Sequence, residues 1–169
     1  MRDIGPWILI GLAALVVIGA MIDSGGETEP RPAPDFSLVS LDGEIVSLSD
    51  HEGRVVLLDF WATWCRPCTR TFPALHGLQQ RFADQGVDLL VVSLDRSAEV
   101  AREHLVEAGF PTFNVLWGSL AEARAVRGIY GVVGIPHTFL IDRDGLIQFS
   151  GYPLSLTAEK LLEVLAAGE

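Results

Sequence analysis

An apolar run that ends in two closely spaced cysteines limits what this chain can fold into more than any other stretch. Val55 to Phe60 (VVLLDF) is apolar except for one acid, the pattern of a strand covered on both faces. Cys65-Arg-Pro-Cys68 follows, and from Cys68 to Gln85 apolar residues recur at helical spacing as Phe72, Leu75, Leu78 and Phe82. A buried strand therefore feeds a helix whose amino terminus carries Cys65. Val87 to Leu94 reads as a second buried strand, and Ser97 to Ala108 as a second helix with Gly109 at its end. Strand, helix, strand, helix in this order implies parallel βαβ units.

The flanks add antiparallel pieces. Phe36 to Leu41 alternates apolar and polar, Asp42-Gly43 gives a turn, and Ile45 to Leu48 resumes, which is a hairpin pattern. Thr112 to Leu116 reads as a short strand and Leu120 to Arg127 as a helix. Thr138 to Ile141 and Leu146 to Phe149 flank the turn residues 142–145, a second hairpin. Thr157 opens a closing helix through Leu165, with Glu159 and Lys160 on its polar side. Gly128, Gly131 and Gly134 do not fit the dinucleotide fingerprint and read as a loop. The class is α/β with a mixed sheet.

The amino-terminal segment has a different character. Ile4 to Ile22 contains no charged residue. As a helix it would span roughly 28 Å, close to the hydrocarbon thickness of a bilayer. Pro6 falls in the first turn, Trp7 at interfacial depth, Arg2 before the run, and Asp23, Glu27 and Glu29 after it. That charge order places the amino terminus in the cytoplasm and the remainder outside. The run is longer than a signal-peptide core, has no A-x-A-like site behind it, and is followed by no lipidation cysteine. The expected organisation is an uncleaved anchor over 1–23, a Pro/Gly-rich spacer over 24–34 (SGGETEPRPAP from Ser24), and one domain over 35–169. With 12 basic against 22 acidic residues and no basic patch, a nucleic-acid partner is not expected.

The two cysteines exclude a disulfide-rich scaffold and an all-cysteine zinc site. A structural disulfide would close a two-residue loop and constrain the unfolded chain little. Covalent haem attachment requires C-x-x-C-H, and Thr69 follows Cys68. A redox dithiol remains. At a helix amino terminus, unpaired N–H groups and the helix dipole favour a thiolate, and Arg66 adds a positive charge beside it. Pro67 suits the first helical turn. Cys65 is expected to be exposed and to attack, and Cys68 to lie deeper and resolve the mixed disulfide.

The motifs Ala33-Pro-Asp-Phe-Ser-Leu, Trp64-Cys-Arg-Pro-Cys, Tyr130-Gly-Val-Val-Gly-Ile-Pro136 and Thr138-Phe-Leu-Ile-Asp142 together resemble the thioredoxin superfamily. The nearest likeness is to its membrane-anchored, extracytoplasmic TlpA/ResA-like branch. The resemblance implies a thioredoxin-like fold with an amino-terminal β-hairpin extension and a βα insertion, preceded by one transmembrane helix. It implies that Pro136 is a cis-proline facing the cysteines and receiving an extended substrate peptide. Ile135 would offer backbone groups for pairing, with Trp64, Arg66 and Pro67 beside them. Asp59 matches a buried acid beneath the dithiol. Burial of that carboxyl should raise its pKa and make it a proton acceptor for Cys68, the alternative being a hydrogen-bonded structural aspartate. Trp61 and Trp64 match core and rim aromatics.

Two positions depart from the branch. Members serving cytochrome c maturation usually carry glutamate three residues after the second cysteine, and Thr71 stands there instead. His137 replaces a common threonine after the cis-proline and is expected to face solvent. His51, His76 and His104 are expected at the surface.

The resulting expectation is a tethered thiol–disulfide oxidoreductase on the cytoplasmic membrane, held by residues 4–22, with its domain in the periplasm or a comparable space. It needs no cofactor. Its clients would be protein disulfides, for example in apocytochrome c or copper-site proteins. The resemblance implies a membrane electron donor of the CcdA/DsbD type. Three other readings stay open at this point. They are a disulfide-forming oxidant, a Cu(I) chaperone using Cys65, Cys68 and His137 as soft ligands, and a peroxidase suggested by the Ala-Pro-Asp-Phe opening.

Overall fold

The computed structural model describes residues 29–168. The expected membrane helix over 4–22 and the spacer up to residue 28 lie outside them. Among the described residues, no helix is long and apolar enough to cross a membrane.

Eight strands form one sheet: β1 (Arg31–Pro32), β2 (Ser37–Ser40), β3 (Ile45–Ser47), β4 (Val55–Trp61), β5 (Val87–Ser93), β6 (Asn114–Trp117), β7 (His137–Ile141) and β8 (Leu146–Gly151). Their order is β1-β8-β7-β4-β5-β6-β2-β3. The β4–β5 and β5–β6 pairs are parallel, and the other pairs are antiparallel. Among the described residues, the α-helices α1 (Arg66–Phe82), α2 (Ala98–Ala108), α3 (Leu120–Ile129) and α4 (Ala158–Ala167) are connected around it. The amino-terminal hairpin β2–β3 joins the sheet through β6, where Val39 pairs with Trp117.

All seven residues of β4 are buried, which explains the near-continuous apolar run in the sequence. Side chains alternate across the strand, so each face meets a different partner. Trp61 points to α1, with its ring 5.1 Å from that of Phe72. Phe60 points the other way, 5.8 Å from Tyr130 and 6.1 Å from Phe139. Asp59 shares the Trp61 face and is fully buried.

Local signals set the helix ends. Gly109 adopts φ +85 at the end of α2, and Phe110 N–H closes back on the Leu105 carbonyl at 2.8 Å. Ser119 and Glu122 form a reciprocal capping box at α3. Thr157 Oγ1 accepts from Lys160 N–H at 3.2 Å at the start of α4.

The spacer reading needs correction at its carboxyl-terminal end. Arg31 and Pro32 pair with Ile147 and Leu146. Ala33 N–H donates to the Gly145 carbonyl at 2.8 Å, and Tyr130 Oη donates to the Pro34 carbonyl at 2.7 Å. Residues 31–34 are thus bonded to the domain. A proline on an edge strand leaves no ladder donor wasted, which is why this composition can still pair there.

Candidate active site

The dithiol sits where β4 hands the chain to α1. Cys65 is the N-cap of α1, Arg66 is its first residue, and Pro67 falls in the first turn. The helix therefore begins two residues earlier than the apolar spacing suggests. Cys65 and Cys68 are joined by a disulfide with an S–S distance of 2.03 Å and a Cα–Cα separation of 5.4 Å. Cys68 is fully buried and Cys65 is 5% exposed. Cys65 is the outer of the two, but the expectation that it is exposed is corrected. Its N–H donates to the Ala62 carbonyl, and Cys68 N–H donates to the Cys65 carbonyl, both at 3.0 Å. These turns fold the cysteine back onto the domain. Trp64, Arg66 and Pro67 around it are exposed, Trp64 at 67%.

Asp59 lies on the face of β4 that packs against α1. Its Oδ1 accepts from Thr138 Oγ1 at 2.6 Å, and among the described residues its Oδ2 has no hydrogen-bond partner. Burial raises the carboxyl pKa to about 7, against the opposing pull of the Thr138 bond. At neutral pH this group can therefore both take and release a proton. Trp61, on the same face, is buried, and its Nε1 has no partner among the described residues. Thr71 is also fully buried, and its Oγ1 donates to the Cys68 carbonyl at 2.8 Å. The position where branch members carry glutamate thus contributes a hydroxyl to the backbone and no ionisable group.

The Ile135–Pro136 peptide bond is cis. Pro136 directly precedes His137, which pairs with Phe60, so the loop reaches the same end of the sheet as Cys65. His137 is half-buried, which corrects its expected solvent exposure. Its Nε2 bonds with Ser150 Oγ at 2.9 Å, its ring lies 4.8 Å from Phe139, and burial lowers its pKa. Alternation along β7 puts His137 on the Phe60 face and Thr138 on the Asp59 face. Among the described residues no group of three His, Cys, Asp or Glu side chains could hold a metal, so the Cys65, Cys68 and His137 set is not assembled.

The other histidines are also half-buried, contrary to expectation. His51 Nδ1 meets Asp88 Oδ2 at 2.7 Å, and His76 packs between Phe110 and Phe113. His104 Nε2 bonds with Thr69 Oγ1 at 2.9 Å, with its ring 5.8 Å from Trp61.

Sequence reasoning missed three supports of the site. Asp95, 5% exposed, accepts from Thr63 N–H and from Thr63 Oγ1, the latter at 2.8 Å, and so pins the segment ahead of Trp64. Arg127 donates to the Val132 and Val133 carbonyls at 2.8 and 2.7 Å, holding the approach to Ile135. Thr138 was visible only as a hydroxyl inside an apolar strand. A polar residue in a buried run is the signal that could have flagged Asp95 and Thr138. A cavity of about 430 Å³ lined by Leu48, Arg54, Val56 and Arg143 lies at the other end of β4 and takes no part in this site.

Residues 30–150 match the AhpC/TSA family. The chain belongs to that family. Among its relatives is the thioredoxin-like protein YneN of Bacillus subtilis, 39% identical over 123 residues, or 73% of this chain and 71% of YneN. The thiol-disulfide oxidoreductase ResA of Geobacillus kaustophilus is 36% identical over 143 residues, 81% and 80% of the two chains. For ResA of Bacillus anthracis the match is 32% over 117 residues, 69% of this chain and 65% of that one. Solved structures agree. A thiol:disulfide interchange protein from a Bacteroides species superposes with a TM-score of 0.71 at 31% identity, covering 81% of this chain and 91% of that one. The thioredoxin domain of a Bacteroides vulgatus thiol-disulfide oxidoreductase gives 0.70 at 29%, covering 81% and 94%. The fold is thioredoxin-like, and this AhpC/TSA protein is a thiol–disulfide oxidoreductase of the ResA type with a Cys65–Cys68 pair.

Proposed function

We propose that the protein reduces protein disulfides outside the cytoplasm while tethered to the membrane by residues 4–22. The observation that carries the exchange chemistry is a buried carboxyl, Asp59, with a pKa raised to about 7, on the strand that leads into a dithiol at a helix amino terminus. The Cys65 thiolate attacks one sulfur of a client disulfide, forming a mixed disulfide and releasing the client's other sulfur as a thiolate. Asp59 then accepts the Cys68 proton. The Cys68 thiolate attacks Cys65 Sγ, closing the 65–68 disulfide and releasing the second client sulfur. Two electrons pass to the client, and the cysteine pair ends oxidised.

Client segments would lie along Trp64, Ile135 and Pro136, with Arg66 and Pro67 at the edge. Val133, 92% exposed on the loop held by Arg127, adds apolar surface there. A membrane thiol carrier of the CcdA/DsbD type would return the electrons, and cysteines of apocytochrome c or of copper-site proteins are the client class in view. The uncharged run from Ile4 and the acidic residues after it support the tether and its orientation.

Arg66 supports a second reading. A cation at the first position of α1 favours the Cys65 thiolate, and a stabilised reduced form makes the disulfide more oxidising. The reduction potential separates the two. A value below about −220 mV fits a reductant, and a value near about −120 mV overturns that reading in favour of an oxidant. Cys65→Ser should abolish reduction of insulin, and Cys68→Ala should accumulate dithiothreitol-sensitive adducts with clients in cells. Turnover retained by Cys65→Ser would overturn the nucleophile assignment.

A further inference from the structure

We propose that Thr138 is a positioning residue for proton transfer, its hydroxyl holding the Asp59 carboxyl and setting the pH range in which that carboxyl can take the proton of Cys68. The inference rests on the reading of Asp59 as the acceptor. Asp59 and Thr138 are directly paired across β4 and β7, and both are fully buried. Directly opposed residues of an antiparallel pair project to the same face, so the register delivers the hydroxyl to the carboxyl. Among the described residues, the resulting 2.6 Å bond to Oδ1 is the one hydrogen bond the carboxyl makes, and Oδ2 has no partner.

The surroundings offer no substitute. On β5 the partner of Asp59 is Val91. On β4, the neighbours on the same face are Leu57 and Trp61. Over this face, α1 brings Cys68 as its buried titratable residue, with Thr71 beside it donating to the Cys68 carbonyl, and α2 brings His104, whose ring lies 5.8 Å from Trp61 and whose Nε2 is bonded to Thr69 Oγ1. On β7 the titratable neighbour His137 is turned to the opposite face and bonded to Ser150. Among the described residues no charged side chain pairs with Asp59. Two effects therefore set the balance, burial favouring the protonated form and the Thr138 hydroxyl favouring the carboxylate. A hydrogen bond to an ionised group is strong enough to matter at the scale of a pKa unit. Without it, the carboxyl would be mostly protonated at neutral pH, and only a small fraction could accept a proton.

Thr138→Val keeps the β-branched shape that suits a buried strand and removes only the hydroxyl, and Thr138→Ser keeps the hydroxyl. In the full, reduced chain, the Asp59 carboxyl is followed by ¹³C NMR on aspartate-labelled protein, its signal assigned by loss in Asp59→Asn. The pH dependence of insulin reduction is measured alongside. In Thr138→Val the Asp59 titration and the acid limb of the rate profile should both move up by about one unit or more. With the wild-type midpoint near 7, a one-unit move corresponds to an about fivefold loss of rate at pH 7, recovered at higher pH. Thr138→Ser should follow the wild type. An unmoved Asp59 titration in Thr138→Val overturns the proposal, as does a rate lowered equally at every pH, the mark of a merely structural role. If the titration moves but the rate profile is unchanged in both Thr138→Val and Asp59→Asn, the reading of Asp59 as acceptor fails. The role of Thr138 in catalysis then falls with it.

Discussion

Asp59 should make the folded protein less stable as pH rises, and Asp59→Asn should remove that loss. In the folded chain the carboxyl titrates near 7, and its ordinary value is 3.8. Below about pH 4 both folded and unfolded chains hold the proton, and the group is neutral in its effect. Between about 4 and 7 the unfolded chain releases the proton while the folded chain keeps it, so stability falls with rising pH. A gap of about three units at 1.36 kcal/mol each amounts to roughly 4 kcal/mol by pH 8. Asparagine does not titrate, but it places an amide where Oδ2 has no partner, at a pH-independent cost of about 1–3 kcal/mol. The clean quantity is therefore the difference between variant and wild type, in which the other titrating groups cancel. Guanidinium unfolding of the oxidised protein should show that difference shifting in favour of the Asp59→Asn variant by about 4 kcal/mol from pH 4 to pH 8. A difference constant to within about 1 kcal/mol across this range would refute the placement of a raised carboxyl at this site.

Other outcomes follow from the packing and the ion pairs. Phe72, fully buried with its ring near Trp61, Phe110 and Phe113, should cost about 3–5 kcal/mol when replaced by alanine. A loss under about 1.5 kcal/mol in chemical denaturation would contradict that packing. Burial pushes the Asp88 carboxyl up, but hydrogen bonds and charge from Arg54 and His51 outweigh it and leave the pKa below its ordinary value. Asp88→Asn should therefore cost about 1 kcal/mol at pH 7, with the gap closing as pH falls through the folded-state titration, checked by denaturation at pH 7 and pH 2–3. Ser119→Ala removes the cap from Glu122 N–H and should lower stability by about 1 kcal/mol, measured by thermal unfolding.

What could be read from the sequence was what depends on local period and local turn chemistry. The run at 55–60, the Gly109 cap and the Thr157 cap each announce an element within a few residues of its observed bounds. The cysteine pair at the strand-to-helix junction was legible for the same reason. What was not legible depends on contacts between distant residues. The strand at Arg31–Pro32 exists only because β8, more than 110 positions later, offers an edge. Helix α1 starts at Arg66, but its buried side chains begin only at Cys68, so no apolar period marks its first two residues. The depth of Cys65 comes from a turn onto Ala62, and the half-burial of His104 from a bond to Thr69 on another helix. The position of His137 follows from register: once Phe60 pairs with it, strand alternation sends its ring away from the α1 face.

The same register explains why an acid that weakens the fold is held in the most buried strand of the domain. Apolar residues on both faces of β4 would give a more stable sheet, and one carboxyl on the α1 face withholds roughly 4 kcal/mol at alkaline pH. A surface carboxyl near the dithiol would avoid that cost but would titrate near its ordinary value and be a poor base at pH 7. Under the proposed role burial makes Asp59 useful, and burial alone would carry it past neutrality, where only a small fraction could accept a proton. The Thr138 hydroxyl on the neighbouring strand opposes that excess through a single bond. Both side chains stand on central strands paired over five positions, so neither can leave the other without breaking the sheet. A destabilising group at a rigid position, corrected by one neighbour, is what the proposed proton transfer requires, at a cost in stability.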